Sequence, residues 1–406
     1  MNIKCRNCKK KKITPLFSLG NLSFTGKFAN TKKQNVPKGE VTLVKCNSCH
    51  LVQLSRNFSP KFLYGKDYGY RTGLNSTMTN HVKSVALEGV KISNLKSNDL
   101  VLDIASNDGT LLNFYPKNVV KVGIDPIIKK FPHYYKNIDF KISNFFSYEN
   151  IKKKKINGKF KVISALSVFY DLSDPNKFIK DVKKLLDKNG VFILEYADLL
   201  SIIKNCLFDT ICHEHLEYYS SKIIINMMKK NGLKVFDLVR NNINGGSIRY
   251  HISHSNSNHK INGKKLNTIL QEEKKYKLES ITTYKNFEKK IKTLKIKLSN
   301  FIKSNKIKGK TFHCYGASTK GNVLLQYFDI SNTQIDCVAD RNPLKYGKYT
   351  PGTKIKIVSE KESRAKKPSY YLVLPWHFKN EIIERERKTM KQGSKFIFPL
   401  PKFSIR

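Results

Sequence analysis

Long apolar runs are missing from this chain: no segment reaches the roughly 20 uninterrupted apolar residues that a membrane-spanning helix needs. Met1 to Thr14 is lysine-rich with no apolar stretch behind it, so neither a secretory leader nor a membrane anchor is expected, and the chain reads as cytoplasmic. Acidic residues are scarce too, 31 Asp and Glu against 76 Lys and Arg, giving a formal charge of +45. Such a balance suggests nucleic acid or an anionic surface. The excess is almost all lysine, however, scattered from Lys9 to Lys402 among Asn and Ile instead of gathered as arginine in one patch, and it reads as a solvated face. No internal repeat or low-complexity tract occurs apart from lysine clusters. Disorder is excluded in turn, because 40% hydrophobic and 11% aromatic content over 406 residues is enough for two or three cores.

Cysteine is limited to eight residues, four of them in two CxxC pairs, Cys5 with Cys8 and Cys46 with Cys49. Cys206, Cys212, Cys314 and Cys337 stand singly, a pattern of a reducing compartment with a metal site and not of a disulfide framework. The first segment, to about Arg56, is too poor in apolar residues to fold on its own core and needs a staple. Two knuckles joined by one long loop supply four thiolates for tetrahedral zinc, and a closed four-thiolate shell leaves no open position for chemistry, so the expected Zn2+ is structural. The competing reading is a redox pair or free thiols; His50 beside Cys49 is read as a bystander.

From about Asp99 short apolar runs alternate with helical stretches: Leu100 to Ile104, Val119 to Ile124, Ile138 to Ile142, Lys161 to Leu166 and Val191 to Tyr196. This is βαβ alternation and predicts a largely parallel sheet. Lys234 to Val239 and Ser247 to Ser253, split by the turn-like Asn241 to Gly246, read as an antiparallel pair closing that sheet, which suits a class I methyltransferase core. Tyr284, Phe287, Ile291, Leu294, Leu298 and Phe301 recur at helical spacing, predicting a long amphipathic connector. Beyond Lys308 strands are expected at Thr311 to Tyr315, Ile335 to Ala339 and Tyr370 to Leu374, with a helix near Phe378 to Met390. The expected class is therefore α/β: a Rossmann-like methyltransferase core flanked by a small zinc-binding domain and a carboxy-terminal Rossmann-like domain. The expected divisions are 1–66, 67–256, a helical connector over 257–307, and 308–406.

The run Val101-Leu-Asp103-Ile-Ala105-Ser-Asn107-Asp108-Gly109-Thr-Leu-Leu112 ends a strand and is expected to open a helix, with small residues where the backbone turns beside a ligand. Asp125, followed by Pro126, ends the next strand, where a carboxylate can bind ribose hydroxyls. A dinucleotide site would more usually show GxGxxG, whereas the glycine positions here hold Ala105, Asn107 and Gly109; S-adenosylmethionine fits better than NAD. Phe145 and Phe146 after the third strand are candidates to sandwich an adenine, and Ala165, Leu166 and Ser167 after the fourth to hold the methionine part, unless both are plain core.

The segment Phe208 to Ser220 gathers His213, Glu214 and His215 with further carboxylates and tyrosines. Histidines two apart diverge on a helix and lack a third ligand on a strand, so acid/base work is the better reading, with a backbone-bonded core histidine as the bland alternative for His213. Gly316-Ala-Ser318-Thr-Lys320-Gly321 has the composition of a strand-to-helix phosphate cradle. It is not a Walker motif, since no Ser or Thr follows the lysine; a sugar nucleotide's diphosphate is the preferred ligand, against an ordinary tight turn.

Taken in order, these motifs resemble the S-adenosylmethionine-dependent sugar C-methyltransferases that act on nucleotide-linked deoxy-keto-sugars, over essentially the whole chain. The matching elements are the two CxxC pairs, Cys49-His-Leu-Val-Gln-Leu54, Asp67-Tyr68-Gly-Tyr70, the cofactor turn, Phe169-Tyr-Asp-Leu-Ser-Asp-Pro175 and the His-Glu-His element. Asn244-Gly-Gly-Ser-Ile-Arg249, Tyr315-Gly-Ala-Ser-Thr-Lys-Gly-Asn322, Asp340-Arg-Asn-Pro343, Tyr349-Thr-Pro-Gly352 and Pro399-Leu-Pro401 complete the series. The resemblance implies that the two outer domains clamp a nucleotide-sugar against the cofactor of the middle domain. By the same match His215 is the candidate base, Glu214 its orienting or substrate-gripping partner, and Tyr70 a hydrogen-bond donor or second acid/base group. Tyr68, His213, Asn244, Arg249, Tyr315, Ser318, Lys320 and Asn322 fall on the substrate side. Two positions depart from the pattern: Cys212 stands where the family often has Tyr, and His377 where Asn is expected after Trp376. Rival expectations are an O-methyltransferase on the same scaffold and an RNA-binding or RNA-modifying methyltransferase. The expected partner is a nucleotide-linked sugar, with no specific nucleic acid, no membrane, and a monomer or dimer.

Overall fold

The computed structural model describes residues 3–64 and 70–406. In the amino-terminal part β1 (Ile13–Ser23), β2 (Lys38–Cys46) and β3 (Val52–Leu54) run antiparallel, and β2 ends at the first cysteine of the second knuckle. His50 takes φ +62 to turn the chain from that knuckle back into β3.

The helix Ser76–Ser93 follows, started by Asn75, whose side chain accepts from the Met78 N–H, and stopped by Asn94 in the left-handed conformation. Its Met78, Val82, Val85, Ala86 and Gly89 face inward. Then come β4 (Leu100–Ile104), β5 (Val120–Ile124), β6 (Phe140–Ile142), β7 (Phe160–Leu166) and β8 (Leu186–Tyr196), with the short β9 (Glu217–Tyr218) before β10 (Leu233–Asn241) and β11 (Ser247–His254). The seven-stranded sheet has the order β10-β11-β8-β7-β4-β5-β6, with β4 to β8 parallel and β11 antiparallel to both β8 and β10. Buried on both faces, the central parallel strands β4 and β7 and the second half of β8 are largely apolar runs, which is why they stand out in the sequence.

The strand β9 belongs elsewhere. It pairs with β3, Gln53 opposite Glu217 and Val52 opposite Tyr218, giving the amino-terminal sheet the order β1-β2-β3-β9. A chain segment from the methyltransferase region thus closes the cysteine-bearing sheet.

After the helix Gly263–Lys275, the 27-residue helix Ile281–Ile307 runs for about 40 Å at 1.5 Å per residue. Its Phe287 ring lies 5.7 Å from Phe17 of β1, and its Phe301 packs on Phe312 and Tyr370 of the carboxy-terminal domain. That domain contains β12 (Phe312–Tyr315), β13 (Val338–Asp340), β14 (Ile357–Ser359), β15 (Tyr370–Val373), β16 (Lys395–Phe398) and β17 (Ser404–Ile405), ordered β14-β13-β12-β15-β16-β17. All pairs are parallel except β16 with β17. The helix expected near 378–390 is two shorter ones, Lys379–Arg385 and Arg387–Lys391. One apolar cluster joins Phe17, Leu43 and Leu54 through Leu207, Phe208 and Ile211 to Val323, Leu324 and Val338, so the outer domains share a core.

Candidate active site

At the carboxyl end of β4 the chain turns through Ala105 (φ +58), Asn107 (φ +52) and Gly109 (φ +74). A Cβ on Gly109 would stand 2.8 Å from Ile138 Cδ1, so the turn needs glycine for both conformation and space. The expected helix does not open here: only the 3₁₀ turn Leu112–Phe114 forms before Pro116. Asp108 is fully buried, and its Oδ2 accepts from Gly73 N at 3.0 Å and Arg71 Nε at 3.2 Å. Asn107 Oδ1 accepts from Thr72 N at 3.0 Å, and its Nδ2 donates to Tyr70 O at 3.1 Å. The turn therefore clasps residues 70–73, which carries the half-exposed Tyr70 over the end of β4. Tyr68 lies outside the described residues.

Asp125 directly follows β5 and accepts from the backbone N–H of Asn107 (3.0 Å) and of Ile127 (2.9 Å). Burial still pushes its carboxyl up to about 6. Asp103, in contact with Ser164 Oγ at 2.6 Å, is pushed up to about 7, chiefly by burial. Phe146 packs edge-on against Phe178 at 4.9 Å and Phe145 is half-buried beside it. Across the sheet Ala165 is buried, Leu166 is half-buried, and Ser167 takes φ +54 while donating its N–H to Glu195 O. Asp103, Asn107, Asp125 and Ser167 thus stand at the carboxyl ends of neighbouring parallel strands, where open α/β sheets bind ligands.

The His-Glu-His element is a turn between Ile211 and β9. His213 is fully buried, its ring between Phe24 (4.6 Å) and Phe58 (4.9 Å) and its Nε2 on Gly39 O at 3.0 Å. It braces the turn from inside through Nε2, while its Nδ1 is buried without a hydrogen-bond partner. Glu214 accepts from the Thr25 hydroxyl at 3.1 Å. His215 is half-buried, its ring 4.2 Å from Tyr170, and its Nδ1 is 2.6 Å from Thr210 O. A carbonyl only accepts, so Nδ1 carries the proton and Nε2 keeps its lone pair. Burial and the Lys320 charge pull its pKa down to about 4, leaving it neutral at pH 7.

Lys320 reaches this site from the carboxy-terminal domain, with Nζ donating to Asn244 O at 2.9 Å. Its charge is felt by Asp209, whose Oδ2 accepts from Trp376 Nε1 at 2.7 Å, and by His377, whose Nδ1 is buried without a hydrogen-bond partner. Other residues expected on the substrate side also have partners within the protein. Ser318 Oγ caps the helix Thr319–Tyr327 by accepting from Gly321 N, and buried Asn322 donates to Thr25 O at 2.7 Å. The Tyr315 hydroxyl donates to Glu386 at 2.7 Å. Arg249 lies in a buried cluster with Glu195 (2.7 Å) and Glu88, while His81 Nε2 sits 2.5 Å from Glu195. Sequence reasoning missed Arg71, His81 and Glu195 and gave Asp209, inside the Phe208 to Ser220 segment, no role of its own; their side-chain partners are 37 or more residues distant.

The Sγ atoms of Cys5, Cys8, Cys46 and Cys49 all lie within 4.8 Å of one another, with Cys5–Cys49 and Cys8–Cys46 at 3.5 Å. A tetrahedral shell of thiolates 2.3 Å from a metal places sulfurs about 3.8 Å apart, so the four residues fit one.

The strand order β10-β11-β8-β7-β4-β5-β6, with an antiparallel pair closing a parallel sheet, is that of a class I methyltransferase core. Family models match in the same order along the chain: a zinc binding domain over residues 5–64, a methyltransferase domain over 79–238 and the C-methyltransferase C-terminal domain over 242–401. Together the three matches run from residue 5 to residue 401 with little between them. It is 26% identical to the C-methyltransferase NovU of Streptomyces niveus, over 98% of this chain and 95% of that one. The tRNA U34 carboxymethyltransferase of Campylobacter jejuni is 35% identical over 111 residues, 24% of this chain and 35% of that protein. Among solved structures, magnesium protoporphyrin IX methyltransferase of Synechocystis with bound SAH aligns at 16% identity and TM-score 0.34, covering 48% of this chain and 92% of that one. Among the described residues no helix is long and apolar enough to cross a membrane.

Proposed function

We propose that this methyltransferase alkylates a carbon next to the ketone of a nucleotide-linked keto-deoxy-sugar. The observation that carries the reading is His215: Thr210 O holds its Nδ1 proton, so the unprotonated Nε2 is free to take a proton from carbon. As the C–H bond breaks, its proton goes to Nε2 and its electron pair to the enediolate. The Lys320 charge stands close enough to His215 to depress it, and so also to stabilise negative charge developing on the substrate. Tyr70, clasped by Asn107 above β4, is the hydroxyl donor for the sugar, and Asp125 the acceptor for ribose hydroxyls. S-adenosylmethionine supplies the sulfonium methyl that the enediolate carbon takes, leaving a neutral thioether. The four thiolates hold zinc as a structural ion, distant in role from the chemistry. The full-length match to a C-methyltransferase supports carbon as the acceptor.

The test is incubation in heavy water with S-adenosylmethionine and a panel of nucleotide-linked keto-deoxy-sugars, read by mass spectrometry and NMR. Deuterium uptake beside the ketone and methyl gain on carbon are expected, and His215→Ala should lose both while binding the cofactor within about twofold of wild type. A methyl on oxygen with no exchange, or unchanged turnover of His215→Ala, would overturn the mechanism.

A further inference from the structure

Arg6 and Asn7, the two residues between the first pair of cysteines, point inward to the methyltransferase region. Asn7 O and Oδ1 accept from Asn176 Nδ2 at 3.0 and 3.2 Å, at the start of the helix Pro175–Leu185. Arg6 is buried, and its guanidinium donates to Leu54 O (2.9 Å), Arg56 O (2.8 Å), Asn57 Oδ1 (2.9 Å) and Leu216 O (3.2 Å). Its Nε also lies 3.4 Å from Glu217 Oε1. Leu216 and Glu217 directly follow His215. Glu217 is 1% exposed and neither of its oxygens has a hydrogen-bond partner; burial pushes its carboxyl well up, and the Arg6 guanidinium is the main charge that opposes that shift. From the other side Leu216 N donates to Tyr170 O, and the Tyr218 hydroxyl to His215 O at 3.0 Å. Cys5 and Cys46 pack in the same apolar cluster as Tyr170, Tyr219 and Ile223, so the knuckles are docked on the methyltransferase core.

We propose that Arg6 is a positioning residue for His215. The metal-folded knuckle holds the guanidinium against Leu216 and Glu217, that contact fixes the turn from which His215 projects, and metal occupancy thereby governs the catalytic turn as well as the amino-terminal sheet. The proposal rests on His215 as the base and on a metal in the four-thiolate shell.

The experiment uses the full-length, zinc-loaded protein and compares wild type, Arg6→Met, Arg6→Lys and the double variant Arg6→Met with Glu217→Gln. Zinc content, S-adenosylmethionine affinity by calorimetry, amide hydrogen exchange, and kcat and KM are measured on each. Arg6→Met should keep its zinc and bind the cofactor within about twofold, yet exchange about tenfold faster over residues 211–218 while β4 and β5 stay protected. Its kcat should fall about tenfold or more with little change in KM. Replacing the unpartnered buried carboxyl in the double variant should restore protection of 211–218, Arg6→Lys should restore part of it, and chelating zinc from wild type should reproduce the loss. Zinc-replete Arg6→Met with unchanged exchange over 211–218, or with exchange raised equally in all three sheets, would overturn the proposal. Exchange over 211–218 is read without any sugar, so an error in the substrate class would leave that outcome standing.

Discussion

Asp125, the proposed ribose acceptor, should give cofactor binding a pH dependence of calculable size. Its carboxylate receives two backbone N–H groups and faces the end of β5, where ribose hydroxyls need an ionised acceptor, but burial pushes its pKa up to about 6. A ligand that selects the ionised form must displace the proton from whatever fraction carries it. With a pKa of about 6, about one-eleventh of the empty protein is ionised at pH 5 and about ten-elevenths at pH 7, so affinity should fall about tenfold from pH 7 to pH 5, near 1.4 kcal/mol. Asp125→Asn should weaken binding about 10- to 100-fold at pH 7, the weight of a hydrogen bond to a charged acceptor, and flatten the profile. The two proteins should converge toward pH 5, where the wild-type group is mostly protonated. Calorimetric titration with S-adenosylhomocysteine at constant ionic strength from pH 5 to 7.5 measures this. A flat wild-type profile, or an equally steep one in Asp125→Asn, would refute the assignment of Asp125 as the ribose acceptor.

Further expectations concern the metal and the buried acid beside Lys320. Cys46→Ser should lose bound zinc and lower the thermal midpoint, because Cys46 is both a donor in the four-thiolate cluster and the last residue of β2; metal analysis and scanning calorimetry read the two effects, and an unchanged midpoint would show that the cluster does not staple the sheet. Trp376→Phe removes the 2.7 Å donor to buried Asp209 and should destabilise the protein by about 1–3 kcal/mol in denaturant unfolding. Adding Asp209→Asn should recover part of that loss.

The parallel strands were legible because each is a short apolar run buried on both sides: Leu100–Ile104 occurs as expected and Val120–Ile124 begins one residue later than expected. The strands β14 and β16 went unseen, since Ile357-Val-Ser and Lys395-Phe-Ile-Phe are too short to show a period. β9 was hidden for a different reason: Glu217 and Tyr218 look like part of a reactive cluster, and their pairing with β3 is set by a fold 160 residues away. The helix expected after Gly109 is replaced by a short turn because Asp108 and Asn107 are tethered to residues 70–73 and Pro116 follows. In the candidate site Asp103, Asn107 and Asp125 sit in an ordered pair of motifs legible from their spacing, whereas the role of His215 comes from the family resemblance. Arg6 and Trp376 owe their importance to the carboxylates they meet in space, Glu217 and Asp209, and no sequence period reports such pairings.

The borrowing of β9 by the amino-terminal sheet also bears on how such enzymes can be rearranged. Residues 1–66 look like a detachable cassette, but cutting there would leave β3 as a bare edge with unpaired N–H and C=O groups, a template for aggregation. A chimaera that exchanges this cassette for another would dock a foreign sheet on the native 211–218 turn, where a one-residue slip reverses every side chain of so short a strand. The unit of exchange is a pair of separated segments, the cysteine-bearing sheet and its distant last strand. Recombination at a single crossover would break the partnership, so both pieces should be inherited or transplanted together.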